Sequence, residues 1–233
     1  MTHLRGRARA SYVQQMFGKI APRYDLMNRL MTGGRDMAWR RLVVEEARLS
    51  RGGRLLDIAT GTGDIALEAL RHAGDLRVVG ADFALEMMQR GRDKPGAERI
   101  RWAGADALTL PFPDNTFDAV TSGFMLRNVI DVPASLAEQL RVAKPGGRMV
   151  CLEISRPPRN GFLPFYRFYF HRIVPLVGQL VSGNYSAYTY LPQSADEFLW
   201  PDELADLMGR AGWREVRYRR LMLGTVAIHT GVK

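Results

Sequence analysis

The stretch LLDIATGTGDIA, Leu55 to Ala66, constrains this chain more than any other. An apolar run breaks into a tight glycine turn and then into a helical pattern. A buried strand, a loop and a helix N-terminus therefore meet at one point, and such a turn can hold a phosphate, a dinucleotide or another cofactor. The pattern continues on either side. GGRLLDIA, LRVVGADF, RIRWAGADA, FDAVTSGFML and RMVCLEIS read as strands. GDIALEALRHAG, ALEMMQRGRDK and VPASLAEQLRVAKPGG read as helices, the first stopped by Gly74 and the last by a Pro-Gly-Gly turn. Alternation of this kind implies right-handed crossovers and a parallel sheet covered on both faces. Ligands then bind beyond the carboxyl ends of the strands, at the switch point. After a last helix, PDELADLMGRAGW, the segments REVRYRRLM and TVAIHTGVK follow one another with only LG between them. That predicts an antiparallel hairpin completing a seven-stranded α/β sheet.

The remaining segments sit around this core. With 233 residues, the length suits one domain with an insertion, taken here as residues 11–233. Residues 1–10 read as a disordered basic arm, and 11–49 as a helical cap broken by Pro22. Residues 156–199 depart from the alternation. They are aromatic and carry Pro157, Pro158, Pro164, Pro175 and Pro192, which predicts a helical lid too interrupted to cross a membrane. Lid and cap together predict a greasy pocket. The single cysteine, Cys151, excludes a disulfide framework, lies in an apolar strand and reads as core. The basic N-terminus lacks the apolar segment of a secretory signal. The net charge of +9 admits nucleic acid, an anionic membrane or anionic ligands. No motif mixing aromatic and basic residues for RNA is present, so no nucleic-acid partner is expected. No metal-ligand spacing is present either.

Taken alone, GTGDIA also suits a nicotinamide cofactor, and Asp82, 19 residues after Gly63, suits the ribose hydroxyls in either case. Three acids distinguish the readings. Asp57 would repel a pyrophosphate and can accept from an ammonium. Asp64 places negative charge at the helix start, where a pyrophosphate would sit. Asp106 can accept from an adenine amine, with the Ala107 N–H for a ring nitrogen. This set resembles the class I S-adenosylmethionine-dependent methyltransferases, and LPFPDNTFD and RVAKPGG fit that layout. The resemblance implies a Rossmann-like fold and S-adenosylmethionine held by Asp57, Ala59, Gly61, Thr62, Gly63, Asp82, Phe83, Asp106, Ala107 and Gly123.

A narrower resemblance lies outside the cofactor core. FGKIAPRYDLMNRLMTGGRDMAWRR, GFMLRNV, LEISRP, SAYTYLPQSADEF and GTVAIHTGVK resemble, in order, the segments of the menaquinone/ubiquinone biosynthesis C-methyltransferases, over about residues 13–233. The chain departs where that family usually has two glycines before the Thr (here Thr60 and Gly61), at Met125 in place of a glycine, and at Gly123 in place of a serine found in some members. The resemblance implies methylation of a ring carbon in a polyprenyl demethylquinol, with demethylmenaquinol favoured. The alternatives are a 2-methoxy-6-polyprenyl-1,4-benzoquinol, or RNA or protein as acceptor. Arg127 would stabilise a phenolate or hold a relay water, unless it sits in a structural ion pair. Asn128 would orient a quinol oxygen, and Tyr24 and Asp25 would cover the site. Asp25 could act as a base if a greasy site raised its pKa, or could simply cap a helix. Phe124, Met125, Tyr185, Tyr188 and Tyr190 would line the quinol pocket, while His171 reads as a buried, satisfied histidine. A membrane-resident substrate, with Arg167, His171 and Arg172 among the lid aromatics, implies a cytoplasmic protein that docks transiently on the inner membrane face. A homodimer is one assembly open to it.

Overall fold

A computed structural model describes residues 6–157, 161 and 163–233. Seven strands form one sheet: β1 (Arg54–Ile58), β2 (Arg77–Asp82), β3 (Ile100–Gly104), β4 (Phe117–Gly123), β5 (Ala143–Ile154), β6 (Arg214–Leu221) and β7 (Val226–Val232), in the order β3-β2-β1-β4-β5-β7-β6. The first five run parallel. β7 pairs antiparallel with both β5 and β6, so the terminal hairpin inserts its second strand next to the parallel set. The order reverses at β1, where β2 lies on one side and β4 on the other.

Burial on both faces explains the continuous apolar strands. Successive side chains point to opposite faces, so Leu55 packs against α3 (Arg35–Ala47) and α4 (Asp64–His72), and Leu56 against α6 (Val132–Val142) and α10 (Pro201–Arg210). Cys151 is fully buried in the second of these layers. The helix before β5 stops at Val142, and the Pro-Gly-Gly sequence lies within β5, where Gly146 takes φ +76° and its N–H donates to the Lys233 carbonyl.

The cap begins earlier than the sequence suggests. Helix α1 spans Gly6–Ile20, so Gly6–Ala10 are helical and not a disordered arm. Arg and Ala are good helix formers, and Arg9 Nη2 anchors this turn by donating to the Arg127 carbonyl at 2.8 Å. Residues 1–5 of the expected arm lie outside the described residues. Pro22 sits in a short turn before α2 (Tyr24–Thr32), and Gly33 and Gly34, both left-handed, separate α2 from α3. The lid consists of α7 (Leu163–Phe168), a wide turn over Tyr169–Ile173, α8 (Val174–Ser182) and α9 (Tyr185–Glu197). Pro175 lies in the first turn of α8 and Pro192 inside α9, while Pro158 lies outside the described residues. Cap and lid share a third apolar cluster of Val13, Met16, Ile20, Met27, Phe170, Val174, Tyr188 and Tyr190. Gly178 allows α8 and α9 to touch there: a Cβ at that position would lie 2.3 Å from the Tyr188 ring. No helix among the described residues is long and apolar enough to cross a membrane.

Candidate active site

Beyond the carboxyl ends of β1, β2 and β4 lie two open cavities that share a wall. The first, of about 980 Å³, runs between cap and lid. Met16, Ile20, Tyr166, Phe170, Tyr188 and Tyr190 line it, with Arg127 as its cation. The second, of about 840 Å³, lies over the strand ends and holds Ala59, Gly61, Asp82, Phe83, Asp106 and Ala107, together with Gly123, Met125 and Asn128. Phe17, Tyr24 and Phe124 border both. A smaller recess of about 390 Å³ opens beside Asp57, Thr60, Gly61, Thr62 and Gly123.

The acids are organised by local backbone. Asp82 Oδ2 accepts from the Gly61 N–H at 2.7 Å and Oδ1 from the Ala84 N–H at 2.8 Å. Burial pushes its carboxyl up to about 6. Asp57 is buried, accepts from the Thr60 and Thr121 hydroxyls at 2.7 and 2.9 Å, and is pushed up to about 7 by desolvation. Asp106, at the exposed rim, accepts from the Leu108 N–H at 2.9 Å. Ala59 and Phe124 both have positive φ, +51° and +59°, directly after β1 and β4. Residues without glycine's freedom hold such angles only where surrounding bonds impose them. The Thr60 and Phe124 N–H groups supply those bonds to the Ala81 and Leu152 carbonyls.

Several expected site residues stand elsewhere. Gly63 is not among the residues lining these cavities; its φ is +78°, and a Cβ would come within 2.6 Å of Trp102 Cη2, so it serves the turn and close packing. Thr62 borders only the small recess, and its hydroxyl donates to Asp25 Oδ1 at 2.7 Å. Asp25 also meets Lys94 Nζ at 2.6 Å and lines none of the three cavities, so a lysine replaces the greasy surroundings that were to make it a base. Tyr185 is 56% exposed on the outer side of α9. Met125 lines the strand-end cavity and not the one under the lid. His171 is partly exposed and 3.1 Å from Asp196, not buried among aromatics. Asp64 is no free negative charge: Lys94 at 2.6 Å, Arg29 at 3.3 Å and Arg40 at 3.4 Å surround it. Burial works against them, yet these cations hold its carboxyl below the usual range. Asp64 therefore does not by itself argue against a pyrophosphate.

The segment after β4 carries the rest. Arg127 is 7% exposed; Nη1 donates to the Phe124 carbonyl at 2.7 Å and lies 3.5 Å from Glu153 Oε2. The structural ion pair and the position on the cavity coexist. Asn128 Nδ2 donates to the same carbonyl at 3.0 Å, and its Oδ1 accepts from the Tyr190 hydroxyl at 3.2 Å, joining loop and lid. Burial raises the phenols of Tyr24 and Tyr188, the latter to about 12, so both stay neutral at pH 7. Two features escaped sequence reasoning. One is Glu153, an acid in the apolar strand MVCLEIS, where burial alone should have called for a partner. The other is the cluster joining Asp36, Arg29, Arg40, Asp64, Lys94 and Asp25, for which the i,i+4 pair Asp36–Arg40 was the available signal.

The sheet order, the reversal at β1 and the acids at the strand ends define a Rossmann-like class I methyltransferase. A SAM-dependent methyltransferase from Thermotoga maritima shares this fold, with a TM-score of 0.66 at 19% identity over 94% of this chain and 98% of that one. The chain matches the ubiE/COQ5 methyltransferase family over residues 5–233, and it belongs to that family. It is 49% identical to a demethylmenaquinone methyltransferase of Roseiflexus castenholzii, covering 97% of this chain and 94% of the relative. It is 48% identical to a ubiquinone/menaquinone biosynthesis C-methyltransferase of Desulfotalea psychrophila, covering 95% and 90%.

Proposed function

We propose that this enzyme transfers a methyl group from S-adenosylmethionine to a ring carbon of a polyprenyl demethylquinol, demethylmenaquinol, forming menaquinol. The observation that carries this reading is the pair of cavities meeting at Phe17, Tyr24 and Phe124, one rimmed by carboxylates and the other largely apolar and aromatic, with Arg127 and Asp36 as its charged groups among the described residues. The residues suit the methyl donor. Asp82, held by two backbone N–H groups, suits ribose hydroxyls; Phe83, Asp106, Ala107 and Met125 suit the adenine; the recess at Asp57, Gly61 and Gly123 suits the amino-acid end. S-adenosylmethionine supplies an electrophilic methyl group on a sulfonium. The chain's own part is to orient the acceptor and to favour its phenolate, the phenol proton passing to water. The phenolate pushes electron density into the ring, and once the carbon is methylated its own ring proton is lost to water and the phenol is restored. Arg127 stays charged and faces the acceptor cavity, so it stabilises a developing oxyanion. Tyr24, kept neutral by burial, can donate a hydrogen bond at the boundary. Enclosing both reactants accounts for the largest share, since orientation can contribute about 7–11 kcal/mol.

The test is labelled methyl transfer with demethylmenaquinol and with the benzoquinol. The expected result is label in the naphthoquinol product. Transfer to the benzoquinol alone would reverse the choice of ring, which the name of the Desulfotalea relative keeps open, and transfer to neither would overturn the reading.

A tailed substrate calls for access to lipid. Phe165, Phe168, Leu176 and Leu180 are exposed on the lid, and Leu26 and Leu30 on α2. Tyr169 and Arg23 join these two surfaces by donating to the carbonyls of Met31 and Val181. Exposed apolar groups with Arg167 and Arg172 among them suit the surface of an anionic membrane. Flotation with anionic liposomes at low salt should recover the protein, and Leu180→Asp combined with Phe165→Asp should reduce that recovery. Equal recovery with and without liposomes would sink the docking claim.

A further inference from the structure

Glu153 is an acid whose position the chemistry above does not use. It stands near the end of β5, 1% exposed, between apolar neighbours. Oε1 accepts from the Leu126 N–H at 2.5 Å. Oε2 faces Arg127 Nη1 at 3.5 Å, too far for a well-formed hydrogen bond, and among the described residues neither Oε2 nor Arg127 Nε has a hydrogen-bond partner. One carboxylate thus holds the backbone of the 124–127 segment by a hydrogen bond to one oxygen and faces the guanidinium with the charge of the other. That segment carries Phe124, which forms part of the wall between the cavities, and Arg127, the cation of the acceptor cavity.

We propose that Glu153 is a positioning residue for methyl transfer: only as a carboxylate does it hold Arg127 toward the acceptor oxygen, so its protonation slows the enzyme. This rests on the methyltransfer reading above. Burial alone is costly for a charge, and it pushes Glu153 up to about 7, although Arg127 and the backbone N–H groups of Leu126 and Met125 oppose the shift. Of the other groups named around this pair, the Tyr24 phenol and the Cys151 thiol are both pushed up, away from this range. Arg9 reaches the Arg127 carbonyl from α1, and Tyr24 approaches Arg127 from α2 with its phenol raised by burial. Cys151, on the same strand, is raised well above its ordinary value by burial. β7 places Ala227 in register opposite Glu153. As pH falls through about 7, Glu153 takes up a proton, Arg127 loses its counter-charge, and turnover declines on the acid side.

The experiment is the pH profile of kcat and KM for the full-length enzyme with quinol and S-adenosylmethionine, beside calorimetric affinity for S-adenosylmethionine. The wild-type kcat should show an acid limb near neutrality. Glu153→Gln keeps an acceptor for the Leu126 N–H and removes the charge. It should lose about tenfold in kcat, part of the 10²–10³ typical of a preorganised stabilising group. Asp57 and Asp82, pushed up to about 7 and about 6 at the methyl-donor site, titrate in the same range, so kcat is read at saturating S-adenosylmethionine. There the acid limb should vanish, with methyl-donor affinity retained. Glu153→Asp should keep the limb. A wild-type profile flat from pH 5.5 to 8.5, or a Glu153→Gln variant that keeps both the limb and the rate, would overturn the proposal (about three pH units suffice to span such a titration). A wild type that binds S-adenosylmethionine but turns over no quinol would instead overturn the substrate reading.

Discussion

Arg127→Ala is expected to lower kcat about 10²–10³-fold, the usual cost of removing a group aimed at developing negative charge. Affinity for S-adenosylmethionine should fall far less than kcat, because Arg127 lines the acceptor cavity and reaches the strand-end one only through Phe124. The substitution also deletes the hydrogen bond to the Phe124 carbonyl, whose residue is held at φ +59°. Some of the loss will therefore come from a relaxed wall between the cavities. Glu153 is left without its cation, but a carboxyl already raised to about 7 can take up a proton in place of remaining a bare buried charge. The protein should thus fold, and thermal melting beside the kinetics checks this. A variant with turnover within twofold of wild type would remove Arg127 from the chemistry. Arg127→Lys keeps the charge without the planar fork, and should recover only part of the rate.

Asp36→Ala should be the most damaging substitution for stability. Its carboxylate, 1% exposed, accepts from both Arg29 and Arg40 and from the Thr32 hydroxyl at 3.1 Å. Its removal leaves the Arg40 side chain, only 6% exposed, with Asp64 at 3.4 Å as its acid. Breaking a buried pair from one side costs about 3–5 kcal/mol, against a total of about 5–15 kcal/mol for a domain. A urea titration should show a lower midpoint with little change in slope. A loss below about 1 kcal/mol, the level of an exposed pair, would mean that the cluster is solvated in solution. Because it links α2 and α3 to Asp64 and Lys94, the variant should also bind S-adenosylmethionine more weakly.

The parallel strands were readable because each carries a compact apolar run bounded by turn residues, and the charged β6 because LG leaves no room for an α-helix between it and the apolar β7. Asp82 and Asp106 were readable for a related reason: an acid ending a parallel strand must stand at the ligand edge. Direction on a helix was less accessible. Tyr24 and Asp25 are neighbours on α2 and point about 100° apart, so when the helix turns Tyr24 to the cavities, Asp25 must face elsewhere, and it meets Lys94. Tyr185 and Tyr188 on α9 divide in the same way, by how the helix docks. Arg127 and Glu153 belong to separate strand ends, and only the pairing of β4 with β5 brings them together. The two glycines differ in a way their type does not reveal: Gly61 lines the strand-end cavity while Gly63, two residues on, packs against Trp102.

The wall of Phe17, Tyr24 and Phe124 belongs to two rooms at once. Space gained on one side of these rings is space lost on the other, so a smaller side chain at position 17 would not simply admit a larger head group. It would also loosen the grip on S-adenosylmethionine. Changing the acceptor in this fold is therefore easier from the far walls, at Met16, Ile20 or Tyr166, where only one tenant is disturbed.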